Sequence, residues 1–187
     1  MKRAICSLLL LAGAAVTPAD AAGFTVLPGD QSSLSFVYRQ MGVPVEGRFT
    51  KYSARITFDP AEPAAAKAAL ELDLTSADAG SAEANDELAG KAWLDTKAFP
   101  KATFVSERVE ALGSGRFEVS GRMTIKGRSR EVSAAFAFTP KGDDALFEGA
   151  FVLKRADFAI GEGVWADFGT VANEVQVKFR FLATAGK

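Results

Sequence analysis

The amino-acid sequence predicts an all-β domain, a set of about eight short antiparallel strands accompanied by one helix. Three observations carry that prediction. From Phe117 to Phe138 the chain spells out two strands and their turn. Phe117, Val119, Gly121, Met123 and Ile125 alternate with Glu118, Ser120, Arg122, Thr124 and Lys126; after a turn at Gly127-Arg128-Ser129, Val132, Ala134, Phe136 and Phe138 resume the apolar face. That period of two belongs to a half-buried strand. The same alternation recurs along most of the chain in short runs, the pattern of a sandwich or barrel. Finally, one stretch, Ser81 to Lys97, abandons it for helical spacing at Glu83, Leu88, Ala92 and Trp93. A hairpin with one apolar face must bury it against other elements. The periodicity leaves open whether the strands close into a barrel or pack as two sheets.

The elements follow in chain order. Lys2 and Arg3 precede an apolar run from Ala4 to Val16 and the small-residue pattern Ala19-Asp20-Ala21. That order reads as a secretory signal peptide over residues 1–22, with an apolar run too short to anchor in a bilayer. Residues 23–187 are then one exported domain. A short first strand (Phe24, Val26) stops at Pro28-Gly29-Asp30, and Leu34, Phe36 and Tyr38 share a face of the second. Met41 to Gly47, carrying Gly42, Pro44 and Gly47, is expected to be a connection. Phe49, Ala54, Ile56 and Phe58 continue the apolar face as far as Asp59-Pro60. Pro60 to Lys67 reads as a loop with one helical turn, and Leu70, Leu72 and Leu74 mark a strand over Ala69 to Thr75. The helix over Ser81 to Lys97 is expected across one end of the sheet structure, ended by Phe99-Pro100, with the next strand beginning at Thr103. Beyond the central hairpin, Phe147, Gly149, Phe151 and Leu153 share a face, Lys154 to Gly169 is a loop, and Val175, Val177, Phe179 and Phe181 form the last strand.

Composition excludes much chemistry. Without the leader's Lys2, Arg3 and Asp20, 20 basic and 22 acidic residues remain, so no global field favours nucleic acid. Histidine is absent and the single cysteine, Cys6, lies in the leader. Disulfides, thiolate catalysis and thiolate metal sites are excluded, and the commonest metal ligand and general base are missing. No cofactor and no metal site is expected. One domain of about 165 residues buries roughly two-thirds of its unfolded surface.

Four stretches resemble the YceI-like, or polyisoprenoid-binding periplasmic, family. Gly121-Arg122-Met123-Thr124-Ile125-Lys126-Gly127 resembles its G-x-L-T-I-x-G signature, and Arg155-Ala156-Asp157-Phe158-Ala159-Ile160 its R-x-D-F-G-I segment. Leu88, Trp93-Leu94-Asp95, Phe99-Pro100 and Thr103-Phe104 are similar to its L-x4-F-F-D…Y-P-x-I-x-F block, and Gln31 to Phe36 to its H-S-x-V-x-F start. The resemblance implies a lipocalin-like eight-stranded antiparallel β-barrel with one short helical segment. Its elongated apolar cavity would hold an isoprenoid lipid, a polyprenyl lipid or an isoprenoid quinone, in the periplasm; it also makes a homodimer plausible. Gln31 and Gln40 stand where the family often has histidine, and Asn85 where it usually has aspartate. Glutamine exchanges hydrogen bonds but neither titrates nor competes well for transition metals.

Given such a barrel, the residues expected around the cavity are Phe36, Tyr38, Phe49, Trp93, Phe104, Ile125, Phe136, Phe151, Trp165 and Phe179. Trp93 and Trp165 lie near loops, where they either guard a mouth or plug a barrel end. Lys126, Arg128 and Arg130 are expected to form a solvated turn, with attraction of a diphosphate or an anionic membrane surface as the sharper alternative. Arg155 with Asp157 is expected as a structural ion pair. Binding without catalysis is the function these features imply, with transient membrane contact for lipid exchange. Two other readings compete: a structural or stress-related protein with a packed barrel, and a hydrolase using carboxylates among Asp78, Glu83, Asp86 and Glu87.

Overall fold

The computed structural model describes residues 22–26 and 28–185 of the chain. The expected leader lies outside the described residues apart from Ala22, which opens the first strand. Among these residues, eleven strands and one α-helix follow in order. The first six strands are β1 (Ala22–Val26), β2 (Ser33–Gln40), β3 (Val43–Phe49), β4 (Tyr52–Phe58), β5 (Lys67–Asp73) and β6 (Ala77–Asp78). After α1 (Ala82–Ala89) come β7 (Lys101–Gly113), β8 (Arg116–Ile125), β9 (Arg128–Lys141), β10 (Asp144–Lys154) and β11 (Glu174–Ala185).

The eleven segments make eight staves of one closed antiparallel barrel. β11 pairs with β2 over Gln176↔Val37 to Arg180↔Ser33 and with β1 at Thr184↔Thr25 and Ala185↔Phe24, so β1 and β2 are one stave broken by a loop. β3 and β4 form the next, β3 pairing with β2 and β4 with β1. β5 and β6 form the third, β5 against β4 and β6 against β3. β7 to β11 complete the meander. Closure leaves no continuous open edge, which is how an antiparallel sheet disposes of its unpaired backbone groups.

Three expectations are corrected. Met41 to Gly47 is not a connection: the turn is only Met41 and Gly42, both left-handed (φ +50° and +82°), and β3 starts at Val43. The glycine and proline that suggest a loop are tolerated inside the strand, because Gly47 packs under a ring and Pro44 faces away from β2's hydrogen bonds, which flank the turn from Val43. The central hairpin turns at Lys126-Gly127, one residue earlier than expected, again with both residues left-handed (φ +50° and +69°). The helix spans Ala82–Ala89 instead of Ser81 to Lys97. Ser81 caps it by accepting from the Ala84 amide, and at Gly90 the chain doubles back, so that the amides of Leu94 and Thr96 bond to the carbonyls of Leu88 and Ala89.

Inward side chains divide into two clusters. One fills the end of the barrel carrying the β7–β8 and β9–β10 hairpins. There the Phe58 ring lies 5.0 Å from Phe117, 4.9 Å from Phe138 and 5.6 Å from Phe147. The other, built on Leu74, Leu94, Met123, Ile125, Phe158 and Ile160, lies toward the end covered by α1 and the β10–β11 connection. A cavity extends along the barrel between them.

Candidate ligand cavity

The cavity holds about 520 Å³ and is lined almost throughout by aliphatic and aromatic side chains, within the size of a small-molecule site. Strand parity explains the lining. Leu34, Phe36 and Tyr38 of β2, Leu70 and Leu72 of β5, and Val175, Val177 and Phe179 of β11 all fall on it at every second residue. All ten residues expected around a cavity line it. Tyr38, Phe49, Phe104, Phe151 and Phe179 point inward yet are only half-buried, because their open side faces the lumen.

Glycines on the inner face keep the lumen open. A Cβ at Gly47 would lie 2.2 Å from the Phe36 ring, and one at Gly149 would lie 2.5 Å from the Phe179 ring. At Gly121 it would lie 3.0 Å from the Phe104 ring and 2.2 Å from the Val105 carbonyl oxygen. Three of the expected phenylalanines therefore lie back against bare stretches of wall. The signal was legible, since Gly121 and Gly149 occupy apolar-face positions of their strands, where a glycine marks close approach.

The mouth is built from α1, Trp93 and the β10–β11 connection. Trp93 and Trp165 meet with ring centroids 5.6 Å apart, and the Trp165 indole N–H donates to Glu87 Oε1 at 2.7 Å. Arg155 is buried to 1% exposure and makes no ion pair with Asp157, which is exposed. Its guanidinium instead donates to five backbone carbonyls: Ala172 (3.1 Å), Ile160 and Gly161 (2.9 Å each), Trp165 and Val171 (2.7 Å each). Its Cζ stands 5.5 Å from the centroid of the Trp93 ring and 5.1 Å from that of Phe168. The expected ion pair gives way because only a forked, five-donor group reaches every carbonyl that the turning loop leaves unpaired. Burial pulls the Arg155 pKa below its usual value.

Lys126 also departs from the expected solvated turn. Its side chain is 8% exposed, and Nζ donates to the carbonyls of Lys91 (2.9 Å) and Ala159 (2.7 Å) and to Glu162 Oε2 (3.1 Å), tying the β8–β9 turn to both covering segments. Arg128 and Arg130 remain on the surface. The charged side chains on the lining are Lys67, Glu83, Glu87 and Arg155, with Gln40 also at the rim. Sequence reasoning missed Glu83, Glu87 and Leu88 as lining residues, since nothing in a short helix's spacing tells which face covers a mouth. Burial raises the Tyr38 pKa, keeping its phenol neutral. Three of the four acids considered for hydrolysis, Asp78, Glu83 and Glu87, are otherwise engaged. Asp78 pairs with Arg48 at 3.0 Å, and its pKa is lowered, chiefly by the Gly80 amide. The Glu83 pKa is lowered by its own backbone amide and by Ser81. A general acid needs the opposite shift.

A closed antiparallel barrel with an apolar lumen and a covered mouth defines a small-molecule-binding barrel. The family model of the YceI-like domain matches residues 24–183, and the chain belongs to that family. It is 30% identical to a UPF0312 protein of Shewanella oneidensis, covering 95% of each chain. The crystal structure of Burkholderia cenocepacia BcnA is similar at 42% identity and TM-score 0.80, with 82% of this chain and 96% of that one covered. A polyisoprenoid binding domain from Saccharophagus degradans shares the fold, at TM-score 0.71 and 18% identity over 89% of this chain and 99% of that one. No helix among the described residues is long and apolar enough to cross a membrane.

Proposed function

We propose that the protein is exported to the periplasm and holds a long-chain isoprenoid lipid, a polyprenyl lipid or an isoprenoid quinone, in the barrel without acting on it chemically. The apolar cavity of about 520 Å³ carries this reading. Hydrocarbon burial supplies about 0.8 kcal/mol per methylene, so a few isoprene units suffice for micromolar binding from water. A bilayer offers the same chain an equally apolar home, so the net preference is small and the lipid exchanges during transient membrane contact. The ten expected residues would hold the chain, and Gln40, Glu83 and Glu87 would meet its polar end. The family, and a fold shared with a domain named for polyisoprenoid binding, support the ligand class.

The deciding experiment is native mass spectrometry of the mature protein purified from periplasm without detergent, followed by organic extraction. A discrete added mass that extracts as a prenyl lipid or quinone is the expected result, and the same spectrum reads out leader removal and dimerisation. An apo mass that takes up no isoprenoid from added vesicles would leave the packed-barrel, structural reading in its place.

A further inference from the structure

The two segments that face each other across the mouth are held very differently. The Gly163–Trp165 turn is fixed through its backbone, because the Trp165 carbonyl accepts from the buried Arg155 guanidinium at 2.7 Å. α1 has no buried residue. Its C-terminal end is anchored, with the Leu94 amide on the Leu88 carbonyl at 3.0 Å and the Thr96 amide on the Ala89 carbonyl at 3.1 Å. Its N-terminal end departs from Gly80, which is left-handed (φ +96°) with open space around it, and is tied back by Asn85 Oδ1 accepting from the Ala79 amide at 2.6 Å. Across the mouth itself, the exposed hydrogen bond from Trp165 Nε1 to Glu87 Oε1 latches α1 to the fixed turn.

α1 also stands where the wall is interrupted. β5 pairs with β7 as far as Asp73↔Lys101, and one further bond joins the Leu74 amide to the Pro100 carbonyl. Beyond that, β6 pairs with β3 and, among the described residues, not with β7. The chain leaving β6 crosses this seam as α1, whose Glu83, Ala84, Glu87 and Leu88 line the cavity.

We propose that α1 is the gate of the cavity. It pivots on its Leu94–Thr96 anchor, parts from Trp165 and opens the β6–β7 seam, so that a long apolar chain enters sideways instead of threading end-on. The gate rests on the reading of the barrel as a lipid carrier and adds the route of entry. A latch on a gate sets the barrier to entry and exit alike, whereas a ligand contact acts mainly on exit.

The test follows a tritium-labelled long-chain polyprenol moving between the intact mature protein and phosphatidylcholine vesicles. Glu87→Ala removes the latch, and Trp165→Phe keeps a ring but removes the N–H. In both, the association rate is expected to rise by roughly five- to tenfold, the scale of an exposed charge-assisted hydrogen bond, a change that loss of a ligand contact at Glu87 or Trp165 would not produce. Unchanged rates, or faster dissociation alone with weaker binding, would overturn the gate. Hydrogen exchange on the ligand-free protein tests it independently of any lipid. The α1 amides are expected to exchange far faster than those of β8 and β9, and faster again in Glu87→Ala. Protection equal to that of β8 would overturn the gate. If polyprenol fails to bind while α1 exchanges fast and responds to Glu87→Ala, the carrier reading fails and the mobile latched helix stands.

Discussion

At the scale of single residues, the cavity depends as much on missing side chains as on those present. Phe36 and Phe179 lie against Gly47 and Gly149, and each ring occupies the place a Cβ would take. Replacing Gly149 with valine therefore drives the Phe179 ring into the lumen and also meets the Ala135 carbonyl oxygen, 2.5 Å from the added Cβ. Overpacking of this kind costs about 1–3 kcal/mol. Gly149→Val is expected to lower the unfolding free energy from urea titration by that amount and to reduce the lipid recovered by extraction, whereas Gly142→Ala, at an open turn, leaves the lipid content alone.

Elements, in turn, are organised by single buried cations. The β10–β11 connection has few regular hydrogen bonds of its own and bends around Arg155, whose five donors satisfy five of its carbonyls. Arg155→Met leaves those acceptors buried and unpaired, at a cost expected to exceed about 3 kcal/mol. Arg155→Lys recovers little, because three donors on one tetrahedral nitrogen cannot reach five carbonyls spread around a loop. Chemical denaturation of the two variants checks the order. Stability close to the parent protein in Arg155→Lys would show that the charge alone matters.

Over the whole molecule, stability and binding are assigned to different levels of one barrel. The closed end is a phenylalanine core in which Phe117 lies 5.0 Å from Phe58 and 5.5 Å from Phe136. The cavity lies between this core and the second cluster near the mouth, with Phe151 half-buried on its wall. Phe117→Ala is expected to cost about 3–5 kcal/mol, the usual price of emptying a packed aromatic site. Phe151→Ala, which removes a ring that already faces open space, costs less but lowers lipid retention. Thermal unfolding measured beside lipid content separates the two, and parallel losses in both variants would mean that the barrel does not divide in this way.

The order of strands and their inward faces was legible in the chain because a strand's side-chain period is two and one face must be buried; Phe117 to Phe138 show this with little ambiguity. Eight staves could also be foreseen, though not that three would be broken into β1–β2, β3–β4 and β5–β6, since those breaks arise where local turns meet a register fixed by distant partners. Residues on strands were placed on the cavity by parity and resemblance together. Off the strands, Trp93 and Trp165 were placed there too, whereas Glu83 and Glu87 were not, because they reach the mouth only through the way α1 lies over the seam. The partners of Arg155 lie 5 to 17 residues further along its own connection and those of Lys126 lie 33 to 36 residues away, so the apparent Arg155–Asp157 pair and the apparent basic turn were local patterns that backbone hydrogen bonding around folded loops overrode. Sequence by itself determined the period, the apolar face and the lack of histidine chemistry, all of which are local or compositional. Only the tertiary structure decided which levels of the barrel are packed and which is hollow, because that depends on which side chains meet across the barrel.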